Sequence, residues 1–171
     1  MSPLVFPIYR VFPAFLVCAF LLPHCQSGPE KCKYKPTAIF SSDLPHIQQY
    51  NYEVQGNESL ESVLLDTGVL LEVAQNVCSA TQQEFRFTVP GNRTHYADSV
   101  WMKEAARQMV FLSAFSPRQA PLKTWGDMIE KVRTQMKLGE PLEVQPGITV
   151  RIDRVTGQEQ STLQIVLSQQ E

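Results

Sequence analysis

Ser59–Cys78 reads SLESVLLDTGVLLEVAQNVC, and whether this run is one helix or two strands decides the fold. Leu60, Val63, Leu64, Thr67, Leu71, Ala74 and Cys78 fall on one helical stripe. Against a helix, Asp66-Thr67-Gly68 separates two apolar, β-compatible runs, and Val69, Leu71 and Val73 alternate behind it. A glycine in mid-helix costs up to about 1 kcal/mol, whereas at a hairpin turn it is useful. The pattern alone leaves both readings open.

The flanks are clearer. Upstream, Tyr50, Tyr52 and Val54 alternate with polar residues in QQYNYEV, which is strand spacing, and QGNES then reads as a turn. Residues 28–47, rich in Pro, Ser and Lys, read as an irregular N-terminal arm. Downstream, Phe85, Phe87 and Val89 share one face of EFRFTV, and Pro90-Gly91 ends that strand. From Asp98 to about Ser113 the period changes: Trp101, Ala105, Met109 and Leu112 form a helical stripe. Pro117 and Pro121 bracket a loop. A second helix is then expected with Thr124 as N-cap, Asp127 completing a capping box, and Gly139 after its C-terminus. Its stripe is Trp125, Met128, Ile129, Val132 and Met136. Near the end, Ile148, Val150 and Ile152, then Leu163, Ile165 and Leu167, alternate on either side of a Thr156-Gly157 turn. One apolar and one wet face per strand suits an antiparallel sheet covered on one side. The expected fold is therefore α+β, a mostly antiparallel sheet or partly open barrel with two covering helices, in a single domain over 48–171.

The N-terminus carries one positive residue, Arg10, before an apolar stretch from Val11 to Leu22. About 20 apolar residues are needed to span a bilayer, so this shorter run reads as the h-region of a secretory signal over residues 1–27. Cys25 and Ser27 would sit at positions −3 and −1 of the cleavage site. After it, no apolar run approaches spanning length, so no transmembrane segment is expected in the mature chain and its localisation is expected to be secreted.

Export changes the cysteine arithmetic. Cys18 and Cys25 leave with the signal, while Cys32 and Cys78 remain. Two cysteines in an exported chain most simply form one disulfide; a free thiol and an intermolecular bridge are the alternatives. An intramolecular bond would be worth about 4 kcal/mol on the chain-entropy model. NES at Asn57 and NRT at Asn92 are both N-x-[ST] sequons in turn-like contexts, so glycosylation is expected at Asn57 and Asn92.

The chain's net charge is −2, and its basic residues are scattered except at Lys31, Lys33 and Lys35. Neither a nucleic-acid stripe nor a polybasic lipid patch is present in this pattern, so no nucleic-acid partner is expected. Of three histidines, His24 is in the signal, and His46 and His95 lie in loops without the ligand spacing of a zinc site. No G-x-S-x-G elbow occurs. Asp66-Thr67-Gly68 is similar to the aspartic-protease triplet, but no second triplet supplies the other carboxylate of a dyad, so it reads as turn chemistry. Glu61, Asp66, Glu140 and Glu143 read as solvated surface charges. No catalytic residue, metal or cofactor is expected. The Trp and Met stripes are core by default. Because a sheet covered by helices can enclose an apolar cavity, Trp101, Met109, Trp125 and Met128 are also possible ligand-facing residues.

YNYEVQGNESLESVLLDTGVLLEVAQNVCSA, together with the upstream Cys32, resembles the N-terminal barrel of the large lipid transfer proteins, the apolipoprotein B and vitellogenin family. Cys32 matches the arm cysteine, Tyr50–Glu53 the first strand, and Leu71–Ser79 the context of the second cysteine. The resemblance spans residues 32–79; the two downstream helices do not follow the family pattern. It implies a Cys32–Cys78 bridge, a strand over 69–77, and a role as a docking surface for protein partners. The expected function is thus a secreted, glycosylated, non-enzymatic binding module acting through an extracellular protein partner. The alternative is a small extracellular carrier of lipid or another hydrophobic molecule, and a two-carboxylate enzyme is the third reading.

Overall fold

The computed structural model of the chain describes Cys32, residues 35–78 and residues 80–170. Residues 1–27, expected to be a secretory signal, and the start of the arm lie outside the described residues. Seven strands, β1 (Ile47–Gln55), β2 (Glu58–Leu65), β3 (Leu70–Val77), β4 (Ala80–Pro90), β5 (Leu142–Gln145), β6 (Ile148–Thr156) and β7 (Gln160–Gln170), form one open antiparallel sheet. Its order is β1-β2-β3-β4-β7-β6-β5. Helices α1 (Asp98–Ser113) and α2 (Pro121–Val132) are inserted between β4 and β5. The fold is α+β, as expected.

The stretch left open by its pattern is a hairpin. Burial alternates along both arms: Ser59, Glu61, Val63 and Leu65 are buried on β2, and Leu71, Val73, Gln75 and Val77 on β3. At the turn, Gly68 has φ +76°, a left-handed conformation that glycine adopts without steric cost, and its N–H donates to the Leu65 carbonyl. Asp66-Thr67-Gly68 is turn chemistry. Three members of the helical stripe, Leu60, Leu64 and Ala74, fall on the face opposite the core.

α1 runs over the residues expected, with Trp101, Ala105, Met109 and Leu112 all buried. It lies against β6 and β7, and α2 packs on α1. The helices meet at Gly126, where a Cβ would stand 2.7 Å from Val110 Cγ2 and 2.9 Å from the Ala106 carbonyl oxygen. Around them the core gathers Phe85, Phe87, Val150, Ile152 and Ile165 from the sheet and Leu122 and Ile129 from α2. Burying each such side chain contributes about 1.5–3 kcal/mol.

α2 differs from expectation at both ends. Pro121, not Thr124, opens it, and Ala120 is the N-cap with no side-chain bond. Proline's fixed φ and missing N–H suit the first helical position, so Thr124 lies within the helix. Asp127, rather than capping, accepts from Lys123 Nζ one turn back at 2.6 Å. The helix ends at Val132, and Gly139 takes φ +81° beyond it, its N–H donating to Ile152 O.

Cys32 and Cys78 form a disulfide across a separation of 46 residues, which the chain-entropy model values at about 4 kcal/mol. It ties the arm to the end of β3. No helix among the described residues is long and apolar enough to cross a membrane.

Candidate functional site: a trough on the helix-free sheet face

Register divides the sheet side chains between two faces. On the inner face, under the helices, Tyr52, Glu61, Val73 and Phe85 form one cross-strand row. Val54, Ser59, Gln75 and Gln83 form the next inner row. On the outer face the rows are Glu53, Leu60, Ala74 and Glu84, then Gln55, Glu58, Asn76 and Gln82.

The inner row contains a correction. Glu61 is fully buried, not a solvated charge, because it shares the core-facing parity of Val63 and Leu65. Its two oxygens accept the backbone N–H groups of Ile39 (2.8 Å) and Phe40 (2.7 Å). Burial pushes its carboxyl above the usual range, and the backbone hydrogen bonds from Ile39 and Phe40 and the charge of Arg118 oppose that only in part. Tyr50 donates to the Phe40 carbonyl; burial first, then the charge of Glu61, pushes its hydroxyl up to about 12. Gln75 donates to Thr37 O, Arg118 to Ala38 O, and Gln119 to Ile39 O. Phe40 packs edge-on against Phe115. Every backbone group named here lies between Thr37 and Phe40, so the arm is strapped across the inner face.

Asp66 is an exposed charge, as expected, and bonds His46 Nδ1 at 2.8 Å. Glu140 and Glu143 are exposed. Among the described residues, no three His, Cys, Asp or Glu side chains are grouped to hold a metal ion.

Of the possible ligand-facing residues, Trp101 and Met109 are core, 4% and 0% exposed. Trp125 and Met128 are half-buried on α2. The four do not converge: none lines either of two concavities among the described residues. The smaller of these, about 130 Å³, lies among Leu65, Thr67, Val69 and the α1 residues Arg107, Gln108 and Phe111.

The larger concavity, about 860 Å³, is built from the two outer rows named above, with Val54, Ser59 and Gln75 between them. Leu60 and Ala74 give it an apolar floor. Glu53 and Glu58 take neutral partners, the amide groups of Asn51 (3.0 Å) and Asn76 (3.2 Å). Glu84 instead pairs with Arg86 at 2.6 Å and accepts from Gln164 at 3.1 Å. The result is an open trough with an apolar centre and an acidic rim. Sequence patterning missed it because its residues come from four strands whose pairing order the pattern does not give.

Asn57 stands in the two-residue turn between Gln55 and Glu58, at the end of the trough, and its Nδ2 donates to Asn76 Oδ1 at 3.0 Å. Asn92 is exposed beyond β4; its Oδ1 accepts from both the N–H and the hydroxyl of Thr94.

Comparison with family models, with curated proteins and with solved structures finds no match for this chain.

Proposed function

We propose that this chain is a secreted, glycosylated, non-enzymatic binding module that acts through contact with an extracellular protein. The observation that carries this reading is the trough. It lies on the face of the sheet that neither helix covers, and combines an exposed apolar floor residue, Leu60, with charged and amide groups around it. That mixture of apolar centre and polar rim is the anatomy of a protein contact surface. The opposite face is filled by Trp101, Met109, Leu112 and the strand side chains beneath them, whereas Leu60, 37% exposed, opens to solvent on the helix-free face. The disulfide is in keeping with an oxidising compartment, and the resemblance of residues 32–79 to a lipid-transfer barrel is in keeping with a docking role.

The test is secretion of the full chain from mammalian cells, with a photo-cross-linking residue placed at Leu60 or, as control, at exposed Val100 on α1. Native mass spectrometry is run on the same material. One discrete protein adduct from position 60 and none from position 100 is the expected result. A stoichiometric co-purifying lipid mass, with no adduct from position 60, would overturn the reading in favour of the carrier.

A further inference from the structure

The two edges of the sheet are built differently. β5 has four residues, an irregular register between Glu143 and Gln145, and Pro141 and Pro146 on its flanks. Shortness, bulges and prolines are how proteins stop an edge from pairing. β1 has nine residues, IQQYNYEVQ, without Pro, Lys or Arg, and its one irregularity is at its start, between Ile47 and Gln49.

Register also says which backbone groups the β1 edge presents. Leu65 N–H donates to Val69 O, and Val77 N–H to Asn57 O, so odd-numbered residues of β2 bond to β3. Hydrogen-bonded and non-hydrogen-bonded pairs alternate in an antiparallel ladder, so the even-numbered residues of β2 bond to β1. Their β1 partners are Gln49, Asn51, Glu53 and Gln55. The N–H and C=O groups of Tyr50, Tyr52 and Val54 therefore point away from the sheet. Side chains alternate the other way: Glu53 and Gln55 lie beside the trough, while Val54, 52% exposed, lies on the inner face.

Resting on the protein-contact reading above, we infer that the β1 edge takes an added strand from its partner, one in which Lys or Arg alternates with apolar residues. A strand sends successive side chains to opposite faces. Bonded to Tyr50, Tyr52 and Val54, such a segment sets its cations beside Glu53, with Glu58 one strand further in opposite Gln55, both carboxylates now partnered by neutral amides, and its apolar groups beside Val54. A second copy of this chain fits less well. β1 contains no cation, so pairing two β1 edges leaves Glu53 without an opposite charge. Backbone bonds would supply affinity and the alternating side chains selectivity.

The probe is a labelled acetyl-VKVKVKV-amide peptide titrated into the full secreted chain and read by fluorescence anisotropy. Saturable binding that weakens with added NaCl is expected, with VEVEVEV bound at least tenfold more weakly. Val54→Pro removes an outward-facing N–H without touching the β1–β2 ladder, and should weaken binding at least tenfold at unchanged melting temperature. The double substitution Glu53→Lys with Glu58→Lys should do the same. Should Val54→Pro fail to fold, VKVKVKV with its valine amides N-methylated carries the same test, and should bind at least tenfold more weakly. Equal binding of VKVKVKV and VEVEVEV, or indifference to both the proline and the N-methyl groups, would overturn strand addition. So would a dimer in sedimentation that Val54→Pro abolishes, since the edge would then be occupied by a second copy. No peptide binding together with a persistent adduct at position 60 sinks this inference and leaves the protein-contact reading standing.

Discussion

Glu61→Gln tests whether one buried carboxylate holds the N-terminal arm. Both Glu61 oxygens accept backbone N–H groups, at 2.8 Å from Ile39 and 2.7 Å from Phe40. The amide keeps one acceptor and sets an NH₂ against the other donor, so one buried N–H loses its partner. An orphaned buried donor costs about 1–3 kcal/mol, and the side chain's volume is nearly unchanged, so no cavity contributes. Urea unfolding at pH 7 should show that loss, and hydrogen exchange at Ile39 and Phe40 should quicken by more than the global change. The pH dependence carries a sign. Burial holds the folded carboxyl above the ordinary value of 4.5, so the native state binds this proton more tightly than the unfolded chain does. That contribution is fully present below pH 4.5 and is lost as pH rises through the folded value. The wild type's advantage over Glu61→Gln should therefore grow as pH falls from 7 towards 4.5. Glu104 runs the other way: burial raises it, but hydrogen bonds from Arg107 and Gln108 and the nearby positive charges hold it low. Taking the difference between wild type and variant cancels Glu104, whose interacting groups are Arg107, Gln108 and Arg93 rather than Glu61. A wild-type advantage that shrinks on acidification would refute the burial argument, and unchanged exchange at Ile39 and Phe40 would refute the strap.

Further outcomes follow from other contacts. Gly126→Ala on an open helix would stabilise by up to about 1 kcal/mol; here the added methyl meets Val110 Cγ2 at 2.7 Å and a backbone oxygen of α1 at 2.9 Å. Overpacking of this kind costs about 1–3 kcal/mol, so thermal melting should show net destabilisation, and a rise in melting temperature would place the helix contact elsewhere. Cys78→Ser should cost about 4 kcal/mol and lower the secreted yield; identical melting of the wild type with and without reductant would contradict it. Asn57→Gln and Asn92→Gln should each remove one glycan step in gel mobility. Asn57→Gln should also cost stability, about 1 kcal/mol, because Asn57 Nδ2 bonds Asn76. Finally, Glu61→Gln should cost less in a Cys78→Ser background, since an arm already untethered from β3 gains less from its carboxylate anchor; strict additivity in a double-mutant cycle would separate the two devices.

The pattern made some elements legible and hid others for reasons that can be named. β1, β4, β6, β7 and α1 each carry a sustained period, and each forms where that period lies. β5 has only four residues between Pro141 and Pro146, too few to display alternation, so LEVQ carries no strand signal of its own. The start of α2 was hidden because Thr124 and Asp127 imitate a capping box, while Pro121, the residue that opens the helix, equally suits a loop. Glu61 shows the deeper difficulty. A carboxylate between Leu60 and Ser62 reads as surface by residue type, and only the choice of strand over helix gives it the parity of Val63 and Leu65. Even then, parity alone would place an unpaired charge in the core, which is costly. What makes the position tolerable is a segment more than twenty residues upstream, the irregular arm, whose two free N–H groups at Ile39 and Phe40 have no strand partners and meet the carboxylate instead. The arm and the charge each look like a defect when read alone, and each satisfies the hydrogen bonds the other lacks. The Cys32–Cys78 bond, formed at the far end of the same arm, keeps the two close in the unfolded chain and so lowers the entropy lost when they meet.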